Sequence, residues 1–392
     1  MNEEAVQYDA SRIQVLEGLE AIRKRPGMYV GSTGVRGLHQ MVFEVAGRAV
    51  NEVLAGRAGA VDVALTSDGG VRVADDGPGI PVEADTDADA DSAGLEALLT
   101  LPHAWRDLGG RHNAALSAFG MGPCVTNALS SRLTVEVRRE GVRWVQEYTR
   151  GVSSTPPTDA GPATGSGTTI VFWPDPEIFE TTECSFDVLA QRFRQLAYLH
   201  GGLDISLRDE RPPGGPRSER FRYPGGALDL VASLGARAGA PVHPDVIAFE
   251  REDPRMEGTV EVALRWSGSR QECVRGFANS LPTPEGGTHM EGFRQGMTAA
   301  INAYARETRQ RAAADRDLDL DADRIGEGLT AVVSVKLDRP EFQGATRGRL
   351  GGDTVRACVA DAVREHLGTW LRGHPDQGAA IISRLCQGTR RD

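Results

Sequence analysis

Glu44, Arg48 and Asn51 follow one another at helical spacing in LHQMVFEVAGRAVNEVL (38–54), which lines up a carboxylate, a guanidinium and a carboxamide on one side of a helix. A second chemistry lies downstream, in Asp75-Asp76-Gly77-Pro78-Gly79-Ile80-Pro81. A carboxylate followed by two glycines at a strand end can accept a hydrogen bond from a base while the bare backbone packs closely against a ligand. Each feature alone is common: helical carboxylates are mostly solvated, and a DxGxG is mostly a tight turn. Their order and spacing together carry the information.

The elements that position these groups follow from hydrophobic patterning. Leu38, Met41, Val42, Val45 and Ala49 form the apolar stripe of the helix, on a different face from the polar trio. Val61 to Leu65 alternates as a strand, Ser67-Asp68-Gly69-Gly70 turns it, and Val71 to Ala74 returns straight into the glycine loop.

A chain of 392 residues, 40% apolar and 25% charged, suffices for two domains with substantial cores. No apolar run approaches the roughly 20 residues of a membrane helix. The acidic start MNEEAVQYDA lacks the apolar core of a secretory signal, and five scattered cysteines include no CxxC pair. Reduced thiols in the cytoplasm are the expectation, without a zinc site or a membrane. A net charge of −11 repels DNA from the surface at large, so DNA contact is weak and needs a local basic patch.

In this order the stretches resemble the nucleotide-binding fold of the GHKL ATPases. The flanks narrow the resemblance to the DNA gyrase B and topoisomerase IV ATPase family: YDASRIQVLEGLEAIRKRPGMYVGSTGVRGLH upstream, and NALS (127–130), GTTIVFWP (167–174), GGTHMEGFR (286–294) and EGLTAVVSVKL (327–337) downstream. It covers nearly the whole chain. The implied fold is α+β: a GHKL (Bergerat-type) α/β sandwich over 1–225 with an N-terminal dimerisation arm, then a transducer domain of ribosomal-protein-like α/β fold over 226–392. The family's DNA-cleavage (toprim) domain is absent from the sequence, so no DNA cleavage is expected of this chain alone.

The resemblance also implies roles. Glu44 matches the general base; Gln40, one turn earlier, replaces a histidine that positions it, and His39 matches that histidine's companion. Asp75, Gly77, Gly79, Ile80, Pro81 and Thr168 form the adenine side. Leu116-Ser117-Ala118-Phe119-Gly120-Met121-Gly122 takes the place of a phosphate loop of four glycines, of which Gly120 and Gly122 remain. Ala345-Thr346-Arg347 replaces a QTK loop whose lysine reaches the γ-phosphate, and Tyr8 would touch the nucleotide of a partner subunit. The adenine side therefore reads as intact.

The metal side does not. Arg48 replaces the asparagine that ligates Mg2+, and Gly47 replaces the neighbouring aspartate. Arginine has no acceptor, so it repels a metal, substitutes for it as a counter-charge, or pairs with Glu44 at i,i+4. ATP is the implied cofactor, and Arg48 leaves Mg2+ open. The implied function is an ATP-binding ATPase and transducer region of a type IIA topoisomerase, degenerate and acting as a nucleotide-dependent dimerising or regulatory protein. It would work as a homodimer on ATP binding or as a heteromer with a topoisomerase subunit. An active ATP-hydrolysing clamp is the alternative, and a decoy partner of a gyrase subunit that binds no nucleotide is the second.

Elsewhere, Ile13, Leu16, Leu19 and Ile22 make a helical stripe. Asp85, Asp87, Asp89 and Glu96 have the spacing of a calcium loop, but Ala90 stands where its glycine belongs, so a solvated acidic loop is expected. Leu133 to Val137 and Val142 to Tyr148 read as strands, 151–166 as a long connector and 211–226 as an exposed one. Phe186 to Leu199, Phe293 to Tyr304 and Thr354 to Leu371 read as helices. Val260 to Trp266 and Gln271 to Phe277 read as an antiparallel pair, Ala331 to Leu337 as an apolar strand, and the end as a short basic tail.

Overall fold

The computed structural model describes residues 18–83, 94–102, 113–117, 119–311, 320–344 and 347–386. Tyr8, Ile13, Leu16, the acidic loop with Asp85, Asp87 and Asp89, and Ala118, Ala345 and Thr346 lie outside them.

The first half comprises α1 (Gly18–Lys24), α2 (Gly27–Val30), α3 (Val35–Leu54), β1 (Val61–Leu65), β2 (Val71–Asp75), α4 (Leu95–Thr100), α5 (Pro123–Ala128), β3 (Ser130–Arg139), β4 (Val142–Thr149), β5 (Val152–Ser153), β6 (Thr158–Pro162), β7 (Gly167–Pro174), α6 (Phe186–Leu199), β8 (Ile205–Asp209) and β9 (Arg217–Phe221). Its sheet runs β5-β4-β3-β7-β2-β1-β8-β9, with β6 also on β4. The long connector 151–166 thus contains two short strands. The Pro/Gly-rich stretch 211–226 holds β9, an antiparallel edge strand on β8. Only Phe221 of β9 is buried, so composition had no apolar alternation to reveal it.

Then come α7 (Ala227–Gly235), β10 (Ile247–Asp253), β11 (Gly258–Trp266), β12 (Cys273–Ala278), β13 (Leu281–Pro282), α8 (Thr288–Arg311), α9 (Ala322–Gly326), β14 (Leu329–Leu337), β15 (Phe342–Gln343), β16 (Arg349–Leu350), α10 (Asp353–Gly373) and α11 (Pro375–Cys386). Strand order is β10-β11-β14-β12-β13. The expected antiparallel pairing of 260–266 with 271–277 does not form. β14 inserts between them, antiparallel to β11 and parallel to β12. Its residues are buried throughout except the half-buried Lys336, and such an apolar run belongs at the centre of a sheet covered on both faces. The expected tail begins with a further helix, α11, opened by Pro375 where a missing N–H costs nothing.

The helices α8 and α10 cover one face of this sheet at unusually close range. A Cβ on Gly292 would stand 2.4 Å from the Arg356 carbonyl oxygen, and one on Gly296 2.4 Å from that of Ala360. Glycine at these two positions lets the helix backbones touch. The two halves meet through Tyr198, Leu199, Leu230, Val231, Phe277 and Val332. Arg192 of α6 fastens the junction, donating to the carbonyls of Ala115 at 2.9 Å and Ser280 at 3.1 Å.

Candidate nucleotide site

Antiparallel register brings the first two site residues together. Asp75 ends β2 and pairs directly with Thr168 in β7, while α3 packs over β1 and β2. Both polar residues are buried, with 4% and 1% of their surfaces exposed. Asp75 Oδ1 accepts the Gly77 amide at 3.1 Å, and Thr168 Oγ1 accepts the Ile80 amide at 3.2 Å. Gly79 has φ +80°, and a Cβ there would lie 2.7 Å from the Arg138 carbonyl oxygen, so glycine is required. Pro81 accepts the Leu95 amide at 2.9 Å through its carbonyl, tying the loop to α4.

Arg48 engages both buried groups of the side read as adenine-binding. The side chain leaves α3 toward the sheet, its Nη1 donating to Asp75 Oδ2 and its Nη2 to Thr168 Oγ1 at 2.9 Å. The i,i+4 pairing with Glu44, one of the three arrangements open to Arg48 in the sequence, gives way to this ion pair, in which the Arg48 side chain is 4% exposed and that of Asp75 not at all. The reason is competition: two fixed acceptors at adjacent strand positions match the fork of the guanidinium, while Glu44 is engaged elsewhere.

Glu44 Oε2 accepts the Gly122 amide at 2.7 Å. Gly120 and Gly122 adopt φ +59° and +76°, so the glycine-poor loop keeps its two essential left-handed positions. The anion its amides face is the chain's own carboxylate. Burial raises the Glu44 pKa above 4.5; Ser117 and the amides of Gly120, Met121 and Gly122 oppose that rise without cancelling it. A carboxyl that titrates higher when folded destabilises the fold increasingly as pH climbs above its unfolded value. Glu44→Gln should therefore melt at a higher temperature than the wild type at pH 7. That advantage should shrink on acidification and vanish below pH 4.5; a pH-independent difference in melting temperature would contradict the assignment.

Glu44, Gly47, Arg48, Asn51, Gly120 and Gly122 line a cavity of about 380 Å³. Its far wall comes from the second half, with Asn279, Leu281, Asp338, Pro340, Phe342 and Arg347. Arg347, at φ +52°, holds its guanidinium carbon 5.9 Å from the Phe342 ring centre. Asp75, Gly77, Gly79, Ile80, Pro81 and Thr168 are not among the lining residues, so Arg48 forms the wall between cavity and loop. Gln40 does not line it either, because the cavity opens along the later turns of α3. Its neighbour His39 accepts the Ser185 amide at 2.9 Å, at the start of α6.

Asn51, the third member of the polar trio, accepts the Ala114 amide at 2.9 Å, whereas Arg192 and Asn279 carried no signal in the sequence. Asn279 at φ +46° is a turn signal visible only in the backbone. The site does not fit an adenine as it stands, since a guanidinium lies between the two groups that would hold it. Nor does it fit Mg2+ beside Glu44, because Arg48 offers no acceptor.

The fold is that of a GHKL-type ATPase module followed by a transducer. The family described as DNA gyrase B matches residues 226–392. The DNA gyrase B protein of Streptomyces coelicolor is 45% identical over 396 residues, covering 97% of this chain and 57% of the relative. A crystal structure of the 43K ATPase domain of Thermus thermophilus gyrase B, in complex with an aminocoumarin, is 32% identical with a TM-score of 0.79, covering 95% of both chains. The topoisomerase IV ATP-binding domain of Francisella tularensis, in complex with a small-molecule inhibitor, is 27% identical with a TM-score of 0.73, covering 95% of this chain and 96% of that one. The chain belongs to the DNA gyrase B family. It spans less than two thirds of the length of its Streptomyces relative. Among the described residues no helix is long and apolar enough to cross a membrane.

Proposed function

We propose that the chain is the ATPase and transducer region of a gyrase-B-type protein that does not hydrolyse ATP and acts by docking, as a homodimer or on a topoisomerase subunit. The observation that carries this reading is the position of Arg48. The residue at the family's metal-ligand position is a cation turned onto Asp75, and Gly47 beside it supplies no side chain. Glu44, the general base by resemblance, accepts a loop amide. The division near Gly225, a cytoplasmic location, and weak DNA contact at a net charge of −11 belong to the same reading.

The ATP-hydrolysing clamp is the second reading, favoured by one observation: Glu44 and Arg347 face the same cavity from opposite halves. Steady-state phosphate release from ATP, with Glu44→Ala in parallel, separates the two. The expected result is no turnover above that variant. Turnover that disappears in the variant establishes the clamp.

A further inference from the structure

We infer that Arg48 occupies the nucleobase site from within, so that the chain excludes adenine nucleotides until this side chain is displaced or removed. The inference rests on the non-hydrolysing reading above and extends it from turnover to binding. It begins with which groups are satisfied. Asp75 and Thr168 are the two buried side chains that the glycine loop presents to a base, and one guanidinium donates to both. An adenine offers its amino edge to the same acceptors as a neutral donor, whereas Arg48 offers charge-assisted hydrogen bonds from a donor already tethered to the site.

Exchange is unfavourable on both sides. Entry of a base would leave the Arg48 charge to face the cavity without its carboxylate, one helical turn from a Glu44 that is committed to Gly122. Asp75 would keep its buried charge with only neutral partners. The glycine loop is nevertheless kept: Gly79 retains its left-handed backbone and its close approach to the Arg138 carbonyl. Removing the one side chain should therefore reopen the site.

The test is calorimetric titration of the whole chain with adenosine and with a non-hydrolysable ATP analogue, each with and without Mg2+. Wild type should give no heat at millimolar ligand. Arg48→Asn, with folding checked by circular dichroism, should bind both ligands about a hundredfold or more tighter. Micromolar binding by wild type overturns the inference, and so does a folded variant that stays silent. Should the variant fail to fold, the wild type decides alone. Its Arg48 side-chain N–H signals should exchange slowly with water and stay unmoved by adenosine, and fast exchange or a shift overturns the inference. Wild-type phosphate release with a KM that Arg48→Asn lowers would sink the non-hydrolysing reading and leave this inference standing. Tight wild-type binding without turnover would do the reverse.

Discussion

Arg48→Ala should destabilise the chain by about 3–5 kcal/mol, the cost of breaking a buried ion pair from one side. The Asp75 side chain is wholly buried, and its remaining partner, the Gly77 amide, does not balance a full charge. Thr168 would keep the Ile80 amide and lose less. The double variant Arg48→Ala, Asp75→Asn should recover much of the loss, because it removes the stranded charge together with its cation. Urea unfolding of the four chains of this cycle measures the coupling. A single variant within about 1 kcal/mol of wild type would mean that water reaches Asp75, and that the guanidinium is a guest in the site rather than part of the fold.

Gly296→Val should cost about 3 kcal/mol or more by forcing α8 away from α10. Its Cβ would stand 2.4 Å from the Ala360 carbonyl oxygen and 2.8 Å from the Val363 Cβ, neither of which is a flexible chain end. The helix can relieve the clash only by moving, which opens the layer over Val359 and Val363. Gly373→Ala is the control. It lies at the end of α10 with nothing within 4 Å, and its effect should be near zero or mildly stabilising. Thermal melts of both variants read the contrast. Equal melting temperatures would show that the two helices are not in the close contact described.

Much of the first half is legible in the sequence because local pattern decides it. The apolar stripe of α3 is buried as its spacing requires, and the β1–β2 hairpin turns where the glycines stand. The substitution at Arg48 is legible too, as a loss of metal ligation. Its destination is not, because helical spacing points it toward Glu44 while the competing acceptors belong to strands far along the chain. The same limit governs β14: its apolar run marks a buried strand, but the identity of its neighbours is a matter of topology rather than pattern. Strand β9 escapes notice for the opposite reason, since an exposed edge has almost no apolar residue to announce it.

The place of β14 has a consequence for biosynthesis. The strand at the middle of the second sheet is the last of that sheet to leave the ribosome. Until residue 337 has emerged, β11 carries β10 on one side and an open edge on the other, and β12 has only the short β13. Both open edges present unpaired backbone N–H and C=O groups and wait for the same partner. A pause in translation within the stretch between β13 and β14 would hold the nascent chain in its most adhesive form, which makes this interval the natural point for a chaperone to engage it.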